Sequence, residues 1–150
     1  MVYSLIIIIL MLALAPLISA LPSKSQRDRI ALRDHASDLD LRVSIRRLPE
    51  PPPRFKFRCE RELICYSRSV KKDILGNRRL LFAQTGGVWR QSEESDEPMH
   101  WLDELPPGVL LVTVSPCGID FFWNEEGGVE ALKKIAQAAD SMLQIKKINN

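Results

Sequence analysis

Trp101 to Phe122, WLDELPPGVLLVTVSPCGIDFF, decides how this chain is read. Pro106-Pro107-Gly108 can end a helix and turn the chain. Val109 to Val114 is then apolar at every position except Thr113. A strand with one wet face alternates between apolar and polar residues. This one does not, so both its faces should be covered and it should lie centrally in a sheet. Ser115-Pro116-Cys117-Gly118 stops it, and GIDFFW follows as a short strand or loop gathering Phe121, Phe122 and Trp123.

Beyond Trp123 the period changes. Val129, Leu132, Ile135, Ala136, Ala139, Met142 and Leu143 recur at three and four, which gives a helix with one buried face. Asn124 can cap it with Glu125 and Glu126 at its positive end, and Gly127-Gly128 moves its start later. Upstream, Ser92 to Leu105 reads as a second helix, capped by Ser92 or Ser95, with Pro98 in its first turn. Before it, RRLLFAQ is a strand, Thr85-Gly86-Gly87 a hairpin signal and VWR the return. RFKFRCE alternates with period two, with Phe55, Phe57 and Cys59 on one side; LICYSRSV follows, and DILGN turns the chain. The order predicts an α+β fold: a compact antiparallel or mixed sheet covered by two helices, of β-β-α type.

The domain plan has three parts. Residues 1–20 carry no charged side chain, Pro16 interrupts them, and Ser19-Ala20 offers small residues at a cleavage point; this reads as a secretory signal peptide. The alternative is an uncleaved anchor, because roughly 20 apolar residues just span a bilayer. A membrane is a partner only in that case. Residues 21–53 read as a flexible Arg/Pro-rich segment ending in RRLPEPPP, in which a short helix around 27–41 can form. Its Arg46-Arg47 pair is either a processing site or a charged linker. Residues 54–150 form one globular α+β domain. About 130 residues remain after a leader, the size of one ordinary domain.

The charge balance is close, with net +2, and no basic stripe is interleaved with aromatics, so nucleic acid is not an expected partner. The signs segregate, however. Arg54 to Arg79 is basic and Glu93 to Glu104 acidic, which reads as solvated faces or as a glycan or lipid patch. The three cysteines are Cys59, Cys65 and Cys117. Outside the cytosol they predict one disulfide, Cys117 with Cys59 or Cys65, and an odd thiol that can link two copies of the chain. There is no CxxC pair and no Cys/His cluster, so no zinc site and no cofactor are expected. His35 and His100 are the only histidines. His35 lies in the loose segment, and a Cys117/His100 dyad lacks an identifiable oxyanion site, so the chain is not expected to be an enzyme. Trp89 and Arg90, if exposed at the hairpin, make a partner-contacting edge for a protein or sugar.

Three phrases resemble the interleukin-like EMT inducer family and its related lectin-like stem domain. GNRRLLFAQTGGV, Gly76 to Val88, resembles its strand ending in a Thr-Gly turn. MHWLDELPPGVLLVTV, Met99 to Val114, resembles its helix, turn and buried strand. NEEGGVEALKKIA, Asn124 to Ala136, resembles its acid-capped final helix. The resemblance implies a secreted, non-catalytic domain that is cytokine-like or receptor-binding, its partner a cell-surface protein or glycan. Two alternatives stand beside it: a carbohydrate-binding, lectin-like module, and a secreted viral or parasite protein that binds a host partner.

Overall fold

A computed structural model describes residues 2–19, 23–47, 62–70, 79–92 and 100–148. It divides into two compact units, residues 1–31 and 32–150.

The first unit holds helix α1 (Val2–Ser19) and the start of α2 (Lys24–Asp38). Helix α1 runs through Pro16 without the break the sequence suggested. The large side chains described on it stand open to solvent, from Val2 at 71% to Leu14 at 46%. Eighteen residues make about 27 Å of helix, and no helix among the described residues is long and apolar enough to cross a membrane. Helix α2 opens on a capping box. Ser23 Oγ accepts from the Gln26 amide at 3.3 Å, and Gln26 Oε1 accepts from the Ser23 amide at 2.9 Å.

The second unit is built on a six-stranded sheet, antiparallel throughout, in the order β1-β2-β6-β5-β3-β4. The strands are β1 (Arg42–Arg47), β2 (Glu62–Ser69), β3 (Leu80–Thr85), β4 (Val88–Gln91), β5 (Val109–Ser115) and β6 (Gly118–Trp123). The fold is α+β, as the element order predicts. The opening run is β5. It pairs with β6 on one side and β3 on the other. Val109, Val112 and Val114 face the main core, while Leu111 is fully buried on the opposite face with Cys65, Ala83 and Phe122. Both faces are covered, which is why its sequence does not alternate.

Helix α4 (Gly128–Ile148) and the short α3 (His100–Asp103) pack on the first face. Leu132, Ile135, Ala139 and Met142 of α4 meet Phe82, Phe121 and Trp123 there, and Trp101 stands edge-on to Phe82 at 5.7 Å. Helix α4 begins at Gly128; Asn124 instead closes an Asx turn, accepting from the Glu126 amide at 3.0 Å. Of the expected Ser92–Leu105 helix, His100–Asp103 is helical, Ser92 instead donates its amide to the Leu81 carbonyl at 2.9 Å, and residues 93–99 lie outside the described residues.

One domain boundary needs correction. Residues 24–47 are ordered as α2 and β1, and Leu32, Ala36 and Leu41 are buried in the main core. The core therefore starts at Leu32 and not at residue 54. Its 3.6-residue spacing, Leu32 and Ala36 followed by Leu41 past the turn, was the available signal, masked by seven charged residues among the fifteen of α2. The RFKFRCE strand, Cys59 and the DILGN turn lie outside the described residues.

Two turns fix the hairpins. Gly86 and Gly87, both at positive φ, form the two-residue β3–β4 turn. Pro116-Cys117 forms that of β5–β6, with Ser115 opposite Gly118 and neither loop residue at positive φ. The Cys117 carbonyl accepts the Val70 amide at 3.1 Å, tying the turn to the end of β2.

Candidate functional site

Strand alternation builds the site. Arg42, Ser44 and Arg46 of β1 share the sheet face opposite α4, beside Ser67, Cys65 and Leu63 of β2. On β6, Asp120 takes the same face. The turn after α2, with Asp40 at φ 55, carries the chain straight into β1. It is held by Leu41 N–H donating to the Ala36 carbonyl at 2.9 Å.

These elements enclose a first cleft of about 570 Å³, lined by Arg33, Ser37, Asp40, Arg42, Arg46, Ser67, Arg68, Ser69, Ser115, Cys117 and Asp120 among others. Four guanidinium groups reach it, and they differ in what holds them. Arg68 donates to the Leu39 carbonyl and, at 2.9 Å, to Asp140 of α4. Arg46 crosses β2 to meet Asp120 at 3.3 Å, and Thr113 donates to the same carboxylate at 3.4 Å. Arg33 donates to both carboxylate oxygens of Glu125, at 2.9 and 3.3 Å. Arg42 makes no ion pair with another described residue.

Among the described acids, Glu125 takes the most side-chain hydrogen bonds. It sits at φ 64 just before α4, with its side chain only 2% exposed. Tyr66 also donates to it, at 3.0 Å. Donating to Glu125 raises the Arg33 guanidinium above its ordinary value. Burial first, then the neighbouring carboxylate, pushes the Tyr66 phenol well above its ordinary range. Burial likewise raises the Cys65 thiol.

A second cleft of about 450 Å³ adjoins the first and shares Arg46, Ser115 and Asp120 with it. Arg47 and Arg79 are its other cations, and Leu81, Val114 and Phe122 give it apolar walls. Of the cleft residues, Arg46, Arg47, Arg68, Arg79 and Cys117 were singled out in sequence but for other roles, and Arg33, Arg42 and Asp120 were missed, although the alternation of Arg42-Val43-Ser44-Ile45-Arg46 was a legible signal for one cationic strand face.

The residues singled out in sequence are dispersed. Trp89 is half-buried against the main core while Arg90 is exposed on the opposite face of β4, so the two do not form one contact edge. Arg46 and Arg47 lie in β1, paired with Leu63 and Glu62 of β2, and not in a loose linker. Cys65 and Cys117 are both free thiols, the first buried and the second exposed. A bond between them is ruled out by register. Cys65 stands opposite Phe122, whereas Gly118, next to Cys117, stands opposite Ser69. Four residues of strand separate these levels by about 13 Å, beyond the roughly 7 Å reach of a disulfide. The other pairing, with Cys59, falls outside the described residues. His100 does not line the cleft that holds Cys117, and His35 pairs locally with Asp38 at 3.4 Å. Among the described residues there is no cluster of metal-ligating side chains. The other basic residues of the Arg54–Arg79 run, Arg68 and Arg79 apart, are outside the described residues, as are Glu93 to Glu97.

No protein-family model, curated protein or solved structure matches this chain.

Proposed function

We propose that this chain is exported and acts as a non-enzymatic, cytokine-like or receptor-binding domain that recognises an acidic patch on a cell-surface partner. The carrying observation is the first cleft, where Arg33, Arg42, Arg46 and Arg68 converge beside the hydroxyls of Ser37, Ser67, Ser69 and Ser115. Guanidinium groups held by neighbouring carboxylates are pre-oriented, so less side-chain freedom is lost on binding than from free lysines. Arg42, without an ion-pair partner among the described residues, is available to a carboxylate of the partner. The uncharged apolar leader supports export, and the three-phrase resemblance to a secreted family points the same way. Exposed Cys117, at the mouth of the cleft, is the thiol through which two copies can be linked.

The test is binding of the full chain, recovered from the medium of expressing cells, to the surface of candidate target cells. Saturable binding, weakened at least tenfold by Arg42→Glu and unaffected by competing neutral sugars, is expected. Binding abolished by a free sugar would transfer the reading to the lectin-like alternative. Retention inside the cell, or equal binding by Arg42→Glu, would overturn it.

A further inference from the structure

We infer that the second cleft is a binding site for a small amphipathic anion, one carboxylate, sulfate or phosphate head on an apolar body. Arg46, Leu81, Thr113, Asp120 and Phe122 of its lining stand on the sheet face that α4 leaves alone. Its cations come from opposite sides of the sheet: Arg46 and Arg47 from the end of β1, Arg79 from the residue before β3. Against these three arginines the lining holds one acid, Asp120. That carboxylate is already taken up by Arg46 at 3.3 Å and Thr113 at 3.4 Å. Among the described residues Arg47 and Arg79 make no ion pair, so within that set two positive charges over the same cleft have no acid beside them.

Between the cations the surface is more apolar than polar. Leu81 and Phe122 line it beside Thr113 and Ser115, and Phe122 belongs to the small apolar cluster with Leu111, Cys65 and Ala83. Guanidinium groups with no ion-pair partner among the described residues, beside an apolar floor, suit a ligand with the same two parts. The head accepts bidentate hydrogen bonds from Arg47 and Arg79, and the body displaces water from Leu81 and Phe122. A volume of about 450 Å³ falls within the range of small-molecule sites, roughly 300–1,000 Å³. A wholly polar anion would leave the floor wet, and a neutral apolar molecule would leave the two cations without an acceptor. The inference stands apart from the partner-binding reading, because Arg47, Arg79, Leu81 and Phe122 do not line the first cleft.

Calorimetric titration of the full chain with octanoate, octyl sulfate and octyl phosphate, each below its micelle concentration, tests it. Octanol and inorganic sulfate are the arms that carry only the body or only the head. At least one octyl anion is expected to bind saturably with one site per chain, and the ranking of the three names the head. Octanol and inorganic sulfate should each bind at least tenfold more weakly. Arg47→Ala and Arg79→Ala should each weaken the octyl anion about tenfold with unchanged melting temperature, and Lys133→Ala, on α4, should leave it unchanged. Octanol binding as tightly as octanoate would remove the role of the arginines. Inorganic sulfate binding as tightly as octyl sulfate would remove that of the floor. Absence of binding by all three anions, or full affinity in both arginine variants, would overturn the site itself.

Discussion

At the residue scale, two positions explain most of what is particular to this chain. Gly118 follows the Pro116-Cys117 turn, and a Cβ there would run into the carbonyl oxygen of Arg68 on the neighbouring strand. Backbone cannot give way as a flexible side chain can. Gly118→Ala should therefore cost about 2 kcal/mol or more, read as a lowered urea midpoint with unchanged slope. Glu125 holds a left-handed conformation that favours glycine, yet its carboxylate takes hydrogen bonds from Arg33 and Tyr66. Removing it leaves a buried phenol without its acceptor, so Glu125→Ala should cost about 3 kcal/mol, although it also removes a charge from a strained position. Tyr66→Phe should cost about 1 kcal/mol. The sign of the pH dependence follows from Tyr66. Its phenol is held protonated in the fold, above its ordinary value of 10.0. The unfolded chain therefore gives up that proton first, and stability falls as pH rises above about 10, by at most about 1.4 kcal/mol per pH unit. Alkaline denaturation should show this loss, and Tyr66→Phe should flatten it. The cysteines make a further contrast. A thiol reagent should modify exposed Cys117 in the native chain, and buried Cys65 only on unfolding, as peptide mapping would report.

At the element scale, α2 and β1 change the meaning of the N-terminal half. The C-terminal part of α2 gives Leu32 and Ala36 to the main core, and the turn at Asp40 directs the chain into the edge strand β1. Leu32→Ala should cost about 2–3 kcal/mol, which a truly flexible segment would not show. The dibasic pair becomes part of a ladder. A protease must take its substrate extended and free of other pairing, so β1 must first detach from β2. A dibasic-specific protease should leave Arg46-Arg47 intact in native buffer over a period in which it cuts the chain in urea, as mass spectrometry would report. Helix α4 was the most legible element, since Leu132, Ile135, Ala136, Ala139 and Met142 face one side at helical spacing and all are buried. Its start was less so. Asn124 carries a capping residue's signature but closes a local turn, because Gly127 and Gly128 both take positive φ and delay the helix.

At the scale of the whole molecule, the division after Ala31 separates a leader-like unit from the domain that carries the clefts. A chain beginning near Leu21 should therefore keep the melting temperature of the full chain, measured by circular dichroism. A drop of more than a few degrees would show that α1 contributes to the fold. The clefts themselves were not legible as sites. Their arginines sit at positions 33, 42, 46, 47, 68 and 79, far apart in sequence and brought together only by the order β1-β2-β6-β5-β3-β4. The free state of Cys65 was equally hidden, because it depends on the register that sets Cys65 opposite Phe122. The sequence by itself determined the α+β class, the doubly covered strand Val109–Ser115, the glycine hairpin and the amphipathic helix. Those follow from local periodicity and turn chemistry, which act between near neighbours. Only the tertiary structure decided that residues 32–47 belong to the sheet domain, which thiols can meet and where six arginines line the clefts. Those depend on strand order and register, set by long-range packing of which the chain carries only the faint periodicities at Leu32, Ala36 and residues 42–46.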